Sequence, residues 1–209
     1  MTAAAGAGAE AFVPSRGGLA ALRRAAEDCH GCELWSSATQ TVFGEGPRRA
    51  PLMLVGEQPG DREDLSGHPF VGPAGRGLDS GLEMAGIERQ SVYLTNAVKH
   101  FRWKAKGKRR LHERPARSHI VACRPWLRAE LERLTPRVLV LMGAVAAQSL
   151  LGPDFSVTRC RGRLESPPHG LPTVVVTVHP SSILRGPDEE RRTRLDAFAT
   201  DLRLAATLI

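Results

Sequence analysis

The 209-residue sequence predicts an α/β domain built on a parallel sheet with helices on both faces. Three observations predict it. Several short apolar runs are continuous rather than alternating, as in strands buried on both sides. Segments of helical spacing stand between them. Polar, glycine- or histidine-bearing segments follow the strands directly, at the end of an open α/β sheet where ligands bind.

Residues 1–16 open with small Ala- and Gly-rich sequence and read as a disordered lead-in, without the basic region and apolar core of a secretory signal. Residues 17–209 read as one domain, long enough for a full core. Gly18 to Asp28 predicts a short helix before Cys29-His-Gly-Cys32. Pro51-Leu-Met-Leu-Val-Gly56 predicts the first strand, Ala74 to Ala85 a helix stopped by Gly86, and Ser91-Val-Tyr-Leu-Thr95 the second strand. Ser118 to Leu134 predicts a long helix with Ser118 as its cap. Arg137-Val-Leu-Val-Leu-Met142 is the third strand, followed by Gly143 and a small-residue helix to about Leu151. Thr173-Val-Val-Val-Thr-Val178 is the fourth strand, and Asp188 to Leu208 the closing helix.

Hydrophobic content of 42% and charged content of 24% suit a soluble globular chain, and no apolar run approaches membrane-spanning length, so no membrane partner is expected. The net charge of +7 favours an anionic partner, nucleic acid first among them. The charge is concentrated. Lys99 to Arg117 holds nine basic residues, including Lys108, Arg109 and Arg110, against the single acid Glu113. Phe101 and Trp103 add stacking surface, and phosphate neutralisation there would be salt-dependent. A solvated, mobile loop is the plain alternative. His112 ends this segment; nearby cations disfavour its charged form, and a neutral imidazole is a nucleophile.

Three rim segments carry the remaining chemistry. In Gly56-Glu57-Gln58-Pro59-Gly60-Asp61, glycine lets the backbone approach a ligand, and Glu57 could act as a base or stabilise positive charge on a sugar. An ordinary turn with Glu57 in solvent competes with that reading. Phe70 lies in a turn-rich segment and could stack on a base, a contact worth about 1–3 kcal/mol, or fill the core. His179-Pro-Ser-Ser182 follows the fourth strand; its histidine could donate to a leaving base or merely cap a helix. The Cys29-x-x-Cys32 pair has metal-ligand spacing and could bind zinc, hold an iron–sulfur cluster or act as a dithiol. Counting alone nominates all four cysteines, with Cys123 and Cys160, for a cluster.

Together, Gly56-Glu-Gln-Pro-Gly-Asp-x-Glu-Asp64, Pro69-Phe-Val-Gly-Pro-Ala-Gly75, Leu94-Thr-Asn-Ala-Val-Lys-His100, Lys108-Arg-Arg-Leu-His112, Cys123-Arg-Pro-Trp126 and His179-Pro-Ser-Ser182 resemble the iron–sulfur uracil-DNA glycosylases of family 4, and most closely the UdgX group of that superfamily. The resemblance implies a three-layer α/β/α fold with a central four-stranded parallel sheet. It implies a uracil pocket in which Phe70 stacks on the base, Asn96 reads its edge, Glu57 and Gln58 lie beside sugar and base, and Gly56 and Asp61 complete the loop. His179 would stabilise the departing uracil anion, and His112 would capture the sugar C1′ covalently in a single turnover. Lys108, Arg109, Arg110, Ser181 and Arg185 would grip the DNA, single-stranded or duplex. Two departures matter. Gln58 stands where many relatives have Ala, and His100 stands at the third cluster cysteine. The implied ligands of a 4Fe-4S cluster are therefore Cys29, Cys32, His100 and Cys123, with Cys160 a bystander. Leu111 stands where Ile is expected. The competing expectations are a turning-over glycosylase that releases a free abasic site, a non-catalytic DNA-binding protein and a zinc protein. A cytoplasmic monomer is expected.

Overall fold

The computed structural model describes residues 8–162, 164–165, 168, 170–185 and 187–209. In chain order its elements are α1 (Leu19–Glu27), β1 (Leu52–Gly56), α2 (Asp61–Ser66), α3 (Pro73–Ala85), β2 (Tyr93–Asn96), β3 (Trp103–Lys106), β4 (Arg109–His112), α4 (Arg117–Leu134), β5 (Val138–Met142), α5 (Ala144–Leu151), α6 (Val157–Cys160), β6 (Leu164–Glu165), β7 (Thr173–Thr177), α7 (Pro180–Ile183) and α8 (Asp188–Ala206). The expected four-stranded parallel sheet is present, ordered β2-β1-β5-β7. The two-residue β6 adds an antiparallel edge beside β7 that the sequence does not announce.

Side-chain alternation along the strands divides the interior into two cores. Met53, Val55, Leu139, Leu141, Val174 and Val176 point to one face and pack with α1, α4 and α5. Leu52, Leu54, Val138, Val140, Met142 and Val175 point to the other and pack with α3 and α8. Both faces are covered, so every strand position gains from being apolar. Burial of each such side chain is worth about 1.5–3 kcal/mol. That is why the strands read as unbroken apolar runs.

Three expectations need correction. The lead-in over residues 1–16 is placed from residue 8 onward: the Gly8 amide donates to the Gly31 carbonyl at 3.0 Å and the Ala9 amide to the Ala122 carbonyl at 2.8 Å. A Cβ on Gly31 would come within 2.7 Å of the Gly8 backbone, so glycine permits this contact. Residues 1–7 lie outside the described residues. Ser118 is not the cap of α4; the helix starts one residue earlier, and the His119 ring accepts from the Ala116 amide at 3.0 Å. The basic segment is not a loose loop. β3 and β4 pair as an antiparallel hairpin, Trp103 opposite His112 and Lys106 opposite Arg109. Gly107, at φ +59°, makes its tight turn.

Candidate functional site

The carboxyl ends of the parallel strands open onto a cavity of about 1300 Å³ that Glu57, Phe70, Asn96, His112, His179 and Arg185 all line. It exceeds the usual range for a small-molecule pocket, roughly 300–1,000 Å³, and suits a longer ligand.

Its floor is built from backbone. Gly56 and Asn96 are register partners across β1 and β2. A Cβ on Gly56 would meet the Phe70 ring at 2.6 Å, so a bare backbone is needed for the ring to lie there. Phe70 itself adopts φ +58°, a left-handed conformation that costs a bulky residue on the order of 1–3 kcal/mol. Arg89 holds it, donating to the Phe70 carbonyl at 3.1 Å and the Pro69 carbonyl at 3.3 Å. Asn96 is buried, and beyond it the amides of Ala97 and Val98 donate to the carbonyls of Gly56 and Glu57, each at 3.0 Å. The β1 and β2 exits therefore form one rigid unit.

His179 leaves β7 and caps α7. Its Nδ1 accepts from the Ser181 amide at 3.3 Å and lies 2.9 Å from the Ser181 hydroxyl. A ring whose Nδ1 accepts a backbone N–H carries its proton on Nε2. Burial, then His112 and Arg185, pushes the pKa down to about 4, so the ring is neutral and can donate from Nε2. Helix capping and site placement, rival readings of the sequence, are both realised. Ser181 supports the histidine, and Arg185 donates to the Ser181 hydroxyl at 3.3 Å.

His112 stands half-exposed at the cavity mouth, with Nε2 3.5 Å from Glu57 Oε1. Its pKa is lowered first by burial and next by Arg185. The cationic neighbours within its own hairpin are not the leading cause the sequence suggested. Glu57 shifts the other way: burial raises it, against Arg114 and Arg185.

The hairpin that carries His112 is fastened by residues expected to touch substrate. The Gln58 amide donates to the carbonyls of Arg102 at 3.1 Å and Glu113 at 3.0 Å, and accepts from the Arg102 amide at 3.2 Å. Gln58 lines the cavity, but its polar groups latch the two ends of the hairpin. Arg110 was expected on phosphate. It bonds instead to Asp61 at 2.7 Å and to buried Asp64 at 2.6 Å. Its guanidinium also lies 5.5 Å from the ring centres of Phe101 and Trp103. Asp61 thus anchors the hairpin. Lys99, counted with the basic patch, is buried against Glu130. Lys108 and Arg109 are exposed on the cavity wall, where an anionic backbone could meet them. Asp64 and Arg114 stood in quoted segments without a role of their own, because a charge gives no local sign of its distant partner. Glu63 had a signal: the Gly60-x-x-Glu spacing of a capping box. Its carboxylate accepts from the amides of Gly60 at 3.1 Å and Gly72 at 2.8 Å.

Cys29, Cys32 and Cys123 are buried free thiols in one core. Glu33, next to Cys32, contacts His119 on α4 at 2.5 Å, which draws the two segments together. The Trp126 indole donates to Cys29 Sγ at 3.1 Å, and the Lys99 amide to Cys123 Sγ at 3.2 Å. N–H donors aimed at sulfur favour thiolates and tune clusters. Burial, reinforced by Cys32 and Cys29, pushes the Cys123 thiol up to about 12 despite Lys99, so its thiolate calls for a cationic partner. His100 is buried, with Nε2 2.9 Å from the Thr41 hydroxyl, which donates its own proton to the Ala26 carbonyl at 2.8 Å. That hydroxyl can only accept from His100, so the His100 proton sits on Nε2 and Nδ1 keeps a lone pair. Among the described residues no group of three or more such side chains is arranged to hold a metal ion. A cubane cluster binds each ligand to a different iron, so its ligands need not converge on one point. Three thiols and one imidazole lone pair are a donor set suited to it. Cys160 is partly buried at the end of α6.

A family model described as the uracil DNA glycosylase superfamily matches residues 43–203. The chain is 34% identical over 167 residues to the type-4 uracil-DNA glycosylase of Sulfurisphaera tokodaii, covering 77% of this chain and 73% of that protein. It is 36% identical over 165 residues to that of Thermotoga maritima, covering 78% and 82%. It is 33% identical over 165 residues to that of Archaeoglobus fulgidus, covering 76% and 79%. Among the described residues no helix is long and apolar enough to cross a membrane.

Proposed function

The chain belongs to the uracil-DNA glycosylase superfamily, and from that premise we propose that it excises uracil from DNA and captures the exposed sugar on His112. The observation that carries the second half is the 3.5 Å approach of His112 Nε2 to Glu57 Oε1 at the mouth of the cavity.

Uracil inside a duplex must leave the stack to reach the pocket, at a cost of a few kcal/mol. Phe70 offers the flipped base a flat face, and Asn96 reads its edge. As the C1′–N1 bond breaks, its electron pair leaves with uracil and spreads onto the carbonyl oxygens. The Nε2 proton of neutral His179 meets that charge. The ionised carboxylate of Glu57 meets the positive charge left on the sugar. The lone pair of neutral His112 then forms the N–C1′ bond, and the alkylated ring sheds its remaining N–H proton to solvent. Lys108, Arg109 and Arg185 lie where they can hold flanking phosphates.

Cys29, Cys32, Cys123 and Nδ1 of His100 would hold a 4Fe-4S cluster. Its contribution there would be structural, with Cys29, Cys32 and Cys123 joining the Cys-x-x-Cys turn to α4 behind the site.

Incubation with a uracil-containing oligonucleotide, followed by boiling in SDS, tests the capture. A slower-migrating protein–DNA band is expected, absent for His112→Ala, which should still release uracil. Free uracil in excess of enzyme with no such band would instead indicate a turning-over glycosylase, with exposed His112 serving only the DNA backbone. A brown colour with absorbance near about 400 nm tests the cluster.

A further inference from the structure

We infer that Lys99 is a positioning residue for the uracil pocket: its buried ammonium locks the segment that carries Asn96 and thereby fixes the loop of Glu57. The inference rests on the proposed uracil excision.

Lys99 and Glu130 form an ion pair at 2.5 Å whose side chains are 1% and 0% exposed. An ammonium has three protons. Here they go to Glu130 Oε2 at 2.5 Å, Thr95 Oγ1 at 2.6 Å and the Asn96 carbonyl at 2.8 Å. The Phe43 ring lies 5.3 Å from the charge. Glu130 is equally committed, accepting from the Tyr93 hydroxyl at 2.9 Å, the Thr95 hydroxyl at 3.0 Å and the Gly44 amide at 3.2 Å. Every polar atom of the pair is satisfied.

A buried pair of this kind gives little net stability over apolar residues of the same shape, because desolvation offsets the Coulomb attraction. What it supplies is geometry. Lys99 folds back along its own segment and grips the Asn96 carbonyl from behind. In front, Ala97 and Val98 hold the carbonyls of Gly56 and Glu57. Its amide meets Cys123, which shares α4 with Glu130. Lys99 is absent from the cavity lining and acts only through Asn96 and Glu57.

The test compares wild type, Lys99→Met, Glu130→Gln and Asn96→Ala, each checked for iron content and melting midpoint. Single-turnover release of uracil and of cytosine is measured from the same oligonucleotide at saturating DNA. Lys99→Met and Glu130→Gln are expected to lose about 10- to 100-fold in uracil release, the range set by the loss of groups that orient metal ligands. Their preference for uracil over cytosine should shrink toward that of Asn96→Ala, while DNA affinity stays unchanged. If Lys99→Met does not fold, the near-isosteric Glu130→Gln decides. Folded, iron-loaded variants with wild-type rate and preference would overturn the inference, as would a loss that follows the melting midpoint with preference intact. A wild-type protein that releases no uracil would overturn the underlying function instead.

Discussion

Glu57 and His112 face each other at 3.5 Å with their proton affinities displaced in opposite directions, the carboxyl raised by burial and the imidazole lowered by burial. Glu57 therefore keeps its proton to higher pH than an ordinary carboxylate, and His112 loses its own at lower pH than an ordinary imidazole. Capture needs the imidazole neutral and the carboxylate ionised. Both conditions fail as pH falls. The rate of SDS-stable adduct formation should fall with falling pH more steeply than one protonation allows. Uracil release by His112→Ala should lose only the Glu57 limb. A pH series of adduct and release rates checks both.

Arg110 should matter more for capture than for excision. Its bonds to Asp61 and Asp64 dock the hairpin, and its loss takes away the guanidinium that pairs with buried Asp64, which keeps the Thr39 amide. Breaking such a pair costs about 3–5 kcal/mol. Arg110→Gln should lower the melting midpoint and cut adduct yield by more than it cuts uracil release. Gln58→Ala, which unlatches the hairpin ends without stranding a charge, should show the same ratio with a smaller loss of stability. Gel quantification beside free-uracil assay gives the ratio.

His179 makes folding pH-dependent. Its folded pKa, about 4, lies below the ordinary value of about 6.5, so between the two the unfolded chain binds the proton and the folded chain does not. Stability is therefore lost as pH falls through that window, with the loss complete below about 4. The contribution is on the order of 3 kcal/mol. Urea midpoints from pH 7 to pH 4 should fall less steeply for His179→Gln than for wild type.

Iron retention should sort the thiols. Cys123→Ser and His100→Ala should lose iron and visible absorbance, His100→Cys should keep both, and Cys160→Ser should match wild type. Iron-to-protein ratios after chelator challenge measure this. Iron loss from Cys160→Ser would put that thiol in the ligand set.

The sheet was legible because burial on both faces leaves one residue class at every position, as in Val138 to Met142. The rim was legible because parallel strands send their successors to one end, which brought Glu57, Asn96 and His179 together. The partnerships of charged groups were not legible. Lys99 and Arg110 sit in the same basic run, yet one is sealed in the core and the other is tied to two carboxylates, and only the tertiary fold assigns them. The Phe70 backbone was equally hidden, since its left-handed turn is maintained by Arg89, 19 residues away.

The hairpin is a sheet of its own, sharing no ladder with the central one. Its attachments include Gln58 at its base, Asp61, Asp64 and Thr39 at its flank, and the Ser37 carbonyl that accepts from the Trp103 indole. His112 is thus modular with respect to the cavity it borders. A lineage could gain or shed it by exchanging one short insert and the few residues that anchor it, and the same economy makes it a candidate for transplantation onto other base-excising scaffolds.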